Sequence, residues 1–171
     1  MSQIKIFDTK ILIRITKIAL LFFFAMYVAL VTLGNLVDPQ SNLMFVKHVL
    51  SMDMTFQKPE LMGRAITTPW VHTAALWLII CVEALICILC LLGAWRLFKV
   101  LGSEQEAFHA AKAFGILGLL LALSLWFFGF QVIGGEWFAS WQSVKWNGFE
   151  PAGRIMNFLF GSLIFISLKN D

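Results

Sequence analysis

The amino-acid sequence predicts an all-α membrane protein: a four-transmembrane-helix bundle with a short helix in the first outer loop and a Trp-rich second outer loop. Two observations carry most of that expectation. Of 171 residues, 60% are hydrophobic and only 13% charged, against roughly 25% charged in an average soluble domain. A water-soluble fold of this size could not hide so much apolar surface. The apolar residues also gather into four runs close to the length of about 20 residues that a helix needs to cross a hydrocarbon core of roughly 30 Å. No linker or block of like charge divides the chain, so residues 1–171 read as a single membrane domain.

The first run covers residues 11–33, is densest in LLFFFAMYVALVTL, and follows Lys5, Lys10, Arg14 and Lys17. It is too long for the apolar part of a signal peptide, and no A-x-A-like site precedes Gly34, so cleavage is not expected. The second, 69–95, opens with Thr68 as the cap and Pro69 at the first helical position, where a missing N–H does no harm. The third, 113–133, contains no charge. The fourth, 151–168, contains Arg154 and spans only if that side chain snorkels outward. Cytoplasmic segments carry the excess of Lys and Arg. Lys5, Lys10, Arg14, Lys17, Arg96, Lys99, Lys112 and Lys169 fall on one side, and Lys47, Lys58, Arg64, Lys145 and Arg154 on the other. Both termini are therefore expected in the cytoplasm, with loops 35–68 and 134–150 facing outward. The net charge of +3 forms no basic stripe, which argues against a nucleic-acid partner.

Cys81, Cys87 and Cys90 share one apolar run; the C-x-x-C reads as small packing residues, because no second thiol pair or histidine lies nearby to complete a zinc site. In the first outer loop Ser41 or Asn42 can cap a short helix in which Met44, His48 and Met52 recur every four residues and share a face. Thioethers with an imidazole suit Cu(I); the same helix, with Phe45, Val49 and Leu50, equally reads as one lying on the bilayer surface. His72, one turn into the second run, and His48 could meet at one depth and ligate a haem, or be hydrogen-bonded structural histidines, the preferred reading. His109 is expected to face solvent.

Glu83 is the ionisable group deepest in an apolar run. Such a group is costly in lipid and faces a bundle interior with a partner. It lies about 21 Å beyond Pro69, and Lys17 about 25 Å from Gly34, at a rise of 1.5 Å per residue. Lys17 and Ser124 are thus the expected partners, and the role is either helix glue or a proton-relay or quinone-binding carboxylate. Trp70, Trp137, Trp141 and Trp146 are expected to form an outer interfacial belt, with Glu136 as the polar handle of any ligand-stacking site there.

The segments GNLVDPQSNLMFVKHVLSMD, RAITTPWVHTAALW, VEALICILCLLGAWRL and FFGFQVIGGEWFASWQSVKWNG together resemble the bacterial family of predicted small integral membrane proteins catalogued as a domain of unknown function, over nearly the whole chain from Arg14 onward. The family pattern includes the His48–Asp53 segment, the Glu83 position and the Trp137–Trp146 segment. Pro39 departs from it, since an aromatic residue is more usual there. The resemblance implies four helices in a bacterial membrane and no established activity, and the bacterial inner membrane is the expected location. No nucleophile–base pair, phosphate loop or metal motif is readable. The leading expectation is therefore a non-enzymatic accessory or assembly subunit, partnered by the bilayer and by a larger membrane complex or copies of itself. A haem- or quinone-binding redox protein using His48, His72 and Glu83 is the alternative, and a small oligomeric transporter a third.

Overall fold

The computed structural model describes residues 8–169, and among them every regular element is helical. Helix α1 (Thr9–Val37) starts at Asp8, whose carboxylate accepts from the Lys10 amide at 3.0 Å. It ends at Asp38, because the residue before a proline is pushed out of the helical region. Asp38 then caps α2 (Pro39–Ser51), accepting from the Ser41 amide at 3.1 Å, with Pro39 at the first position. The cap expected at Ser41 or Asn42 therefore lies upstream. Asn42 instead turns its side chain back onto the Asp38 carbonyl at 3.1 Å. A short α3 (Pro59–Met62) precedes α4 (Pro69–Lys99). Thr68 occupies the cap position of α4 without a side-chain cap bond.

After α5 (Gln105–Ala110), α6 (Ala113–Leu123) runs directly into a π-helix over Ser124–Trp137. Fourteen residues is long for this conformation, which usually appears as a single wide turn. A 3₁₀ turn at Ser140–Gln142 leads to α7 (Phe149–Ser167). Among the described residues three stretches are long and apolar enough to cross a membrane: Thr9–Val37, Pro69–Lys99 and Gln105–Trp137. The fourth expected crossing forms as α7 but is not among them; it has 19 residues and carries Glu150 and Arg154 near its start.

The core joins α1, α4, α6 and α7 through Leu21, Phe24, Val28, Ile86, Cys90, Leu97, Leu119, Met156 and Leu159, all buried. Glycines set its spacing. A Cβ built on Gly93 would lie 2.5 Å from the Gly115 amide nitrogen, and one on Gly115 would lie 2.5 Å from Leu21 Cδ1. The backbones of α4 and α6 therefore touch, as small residues allow in membrane helix pairs. Cys90 belongs to this contact, with its Sγ 2.7 Å from a Cβ at Gly118, while Cys81 is exposed.

At one end of the bundle three cations turn inward. Arg14 Nη1 donates to the carbonyls of Leu101 (2.7 Å) and Ser103 (2.6 Å). Lys17 and Lys112 both donate to the Leu168 carbonyl, at 2.7 and 2.8 Å. Each is at most 1% exposed. These carbonyls follow the C-terminal ends of α4 and α7, where a positive charge is favoured by the helix dipole. His109, expected to face solvent, is half-buried beside them, 3.3 Å from Lys112 Nζ.

The opposite end is a cap. Arg14 at the start of α1 meets the end of α4, and Asn35, near the end of α1, donates to Glu83 in the middle of α4 at 2.6 Å. The two helices are therefore antiparallel, and the fourteen residues of α4 before Glu83, about 21 Å, outrun α1. Helix α2 covers them, with Val46 packed on Leu76 and Ile80. Below it Met52 and Val49 pack on Phe138 and Ala139.

Gly93→Ala is expected to lower bundle stability by about 1–3 kcal/mol, the usual cost of an overpacked contact. Gly34→Ala, with nothing within 4 Å of its new Cβ, is expected to be neutral or to stabilise by up to about 1 kcal/mol. Detergent-phase thermal unfolding of the two variants measures the difference.

Candidate functional site

Glu83 is 2% exposed and faces α1, where Asn35 Nδ2 donates to its Oε2. Neither expected partner reaches it. Lys17 lies eighteen residues from Asn35 along α1, about 27 Å away, and is bonded to Leu168. Ser124 donates to its own helix at the Leu120 carbonyl, 3.0 Å. The error has a physical source: counting inward from Gly34 and Pro69 assumes that α1 and α4 begin at one level, whereas α4 starts about four turns farther out.

His72, 4% exposed, has Nε2 2.7 Å from the Ile66 carbonyl and lines a pocket with Leu43, Lys47, Ser51 and Asp53. His48 lines a different pocket, with Ser41, Met44, Met54, Lys145 and Trp146. The two histidines line no common pocket, although Asp53, which pairs with His48, also borders the pocket of His72.

The Met44–His48–Met52 face is also broken. Met52 ends α2 in the left-handed region, at φ 53°, so its side chain leaves the helical periodicity and is fully buried against Val49, Phe138 and Ala139. Met54 takes its place in the His48 pocket. The turn that carries it hangs on the Met52 carbonyl, which accepts from Thr55 Oγ1 and Gln57 Nε2, each at 2.7 Å. His48 Nδ1 is 2.9 Å from both carboxylate oxygens of Asp53. Its ring stacks on Trp146 at 4.5 Å between centroids, 17° from parallel.

Trp146 is thus half-buried against His48. Trp70, Trp137 and Trp141 are exposed, and Arg64 lies 4.8 Å over the Trp137 ring while bonding its carbonyl. Glu136 is exposed beside Trp137. One apolar pocket was not visible in the sequence. It is a cavity of about 340 Å³ between α2, α4 and the π-helix, lined among others by Phe45, Ile79, Val82, Phe128, Phe130 and Phe138, with Ser124 and Ser140 as its hydroxyls. Glu83 is not in its lining. Among the described residues no group of three or more His, Cys, Asp or Glu is arranged to hold a metal ion.

The Asn35–Glu83 bond is expected to behave as interhelical glue. In a double-mutant cycle, Asn35→Ala and Glu83→Ala should couple by about 0.6 kcal/mol and no more than about 1.7, the range for hydrogen bonds between membrane helices. Glu83→Gln, which retains an acceptor oxygen, should lose less than Glu83→Leu; equal losses in detergent unfolding would contradict a hydrogen-bonding role.

No curated protein and no solved structure matches the chain. A family model described as "Predicted small integral membrane protein (DUF2165)" matches residues 13–169. That match takes in nearly all of α1, the rest of the helices through α7 and the whole cap, and the chain therefore belongs to this family of predicted small integral membrane proteins, whose function is unknown.

Proposed function

We propose that this protein is a non-enzymatic accessory subunit of the bacterial inner membrane. In this reading it is one domain of four crossings with both termini in the cytoplasm, and it packs against a larger membrane complex or against copies of itself. The supporting observation is where its polar groups end. Glu83 is held by Asn35, His72 sits on the Ile66 backbone, Ser124 bonds its own helix, and Lys17 bonds the end of α7. Each ties helix to helix or side chain to backbone, and among the described residues no Asp, Glu, His, Lys or Cys lines the apolar pocket between α2, α4 and the π-helix. The outward surface, by contrast, is apolar; α4 alone exposes Trp77, Leu78, Leu85, Ile88, Leu92 and Trp95 to lipid or to another helix.

The fourth crossing is supported by α7. Its 19 residues make about 28 Å, close to the thickness of the hydrocarbon core. Its last carbonyls meet the basic end. Its first residue, Phe149, packs at the cap so closely that a Cβ on Gly135 would lie 2.0 Å from the ring. Arg154 and Glu150 pair one turn apart, which lets the charges sit together at an interface. Quinone binding is a second reading favoured by one observation, an apolar cavity suited to a prenyl tail.

A reporter fused after Asp171 is expected to be active only if it works in the cytoplasm; activity of a periplasm-dependent enzyme there reverses the topology. Extraction in gentle detergent with native mass spectrometry is expected to recover an assembly heavier than the monomer. A strictly monomeric species, a Soret band, or stoichiometric bound quinone overturns the accessory reading.

A further inference from the structure

We propose that Met44, His48 and Met54 form a site for a soft monovalent cation, Cu(I), on the cap, with Asp53 positioning the imidazole and Trp146 closing one side. The inference is independent of the accessory reading. Its first support is the donor set: Met44 and His48 are one turn apart on α2, where Cβ atoms lie about 5–6 Å apart, and Met54 lines the same pocket. Two thioethers and an imidazole are soft ligands that select Cu(I) over Zn(II) or hard cations.

The second support is the histidine's orientation. An ionised carboxylate only accepts hydrogen bonds, so His48 Nδ1, at 2.9 Å from both Asp53 oxygens, carries the proton. In the neutral ring the lone pair is then on Nε2. This is the carboxylate–histidine arrangement that fixes the tautomer of metal-ligating imidazoles. The third is the turn. Buried Met52 anchors it, and the Met52 carbonyl holds Thr55 and Gln57, so one segment delivers both Asp53 and Met54. Trp146, stacked on His48, fixes the plane of the imidazole. Lys145 is the ammonium of this pocket. It lies 4.9 Å over the Trp146 ring and is exposed, free to swing into water when a cation arrives, while Asp53 supplies the compensating negative charge.

The test is titration of the full chain in detergent with Ag(I), a redox-inert stand-in for Cu(I), followed by NMR of ¹³C-methyl methionines. The methyls of Met44 and Met54 are expected to shift in step at one equivalent, with Met52 and Met62 unmoved. Met44→Leu and Met54→Leu should each weaken binding by more than tenfold, and Met52→Leu should leave it unchanged. Asp53→Ala should cost about 10- to 100-fold, as loss of an outer-shell partner does, with partial recovery in Asp53→Asn. Shifts at Met52 in place of Met54, absence of a saturable shift in the wild type, or affinity unaltered by Met44→Leu and Met54→Leu overturns the proposal.

Discussion

The bundle depends on the contact between Gly93 and Gly115. In a bilayer, apolar side chains gain nothing by exchanging lipid for one another, so helices associate through close van der Waals fit and internal hydrogen bonds. Two facing glycines let the α4 and α6 backbones meet, and Leu21 of α1 fills the space beside them. Once the axes are that close, Cys90 fits against Gly118 and the lower ends of the helices come within reach of Arg14, Lys17 and Lys112. A side chain at Gly93 would meet the Gly115 backbone, whereas one at Gly115 would meet the Leu21 side chain.

Those cations show how one feature serves two ends. As sequence they are the positive charge that orients a membrane protein. In the fold Arg14, Lys17 and Lys112 are buried and end on carbonyls at the C-terminal ends of α4 and α7. Cations there complement the helix dipole and bond carbonyls that have no partner within the helix. Phe108 adds its ring face to Arg14 at 4.6 Å. The same residues therefore join the two helix ends that the chain's loops leave apart.

The cap follows from a mismatch in length at the other end. Helix α4 outruns α1 by about four turns, and its exposed stripe of Leu76 and Ile80 is covered by α2. Helix α2 in turn needs something on its far side, which Trp146 and Phe130 provide by stacking on His48 and Phe45. The two loops thus bury Val46, Val49, Met52, Phe138 and Ala139 within the protein, while Met54, Phe56, Trp137, Trp141 and Val144 stay exposed. The wide turns of the π-helix leave the apolar cavity between it, α2 and α4.

By itself the sequence determined the helical class, the positions of three long apolar helices, the short helix in the first loop and the proline starts. Those follow from local quantities: apolar length, charge at the ends of runs, and the backbone restrictions of proline. Glu83 was legible as buried because the cost of a carboxyl in lipid belongs to the residue itself. Its partner was not, since Asn35 became the partner only through the offset of α4 against α1, which no count along one helix contains. The same limit explains Met52 and Met54. A period of four predicts a shared face only while the helix continues, and the left-handed turn at Met52 is fixed by burial against Phe138, far away in the chain. Tertiary structure alone decided which pockets His48 and His72 line, the stacking of Trp146 on His48 and the replacement of Met52 by Met54 beside His48, because each depends on how separate segments meet.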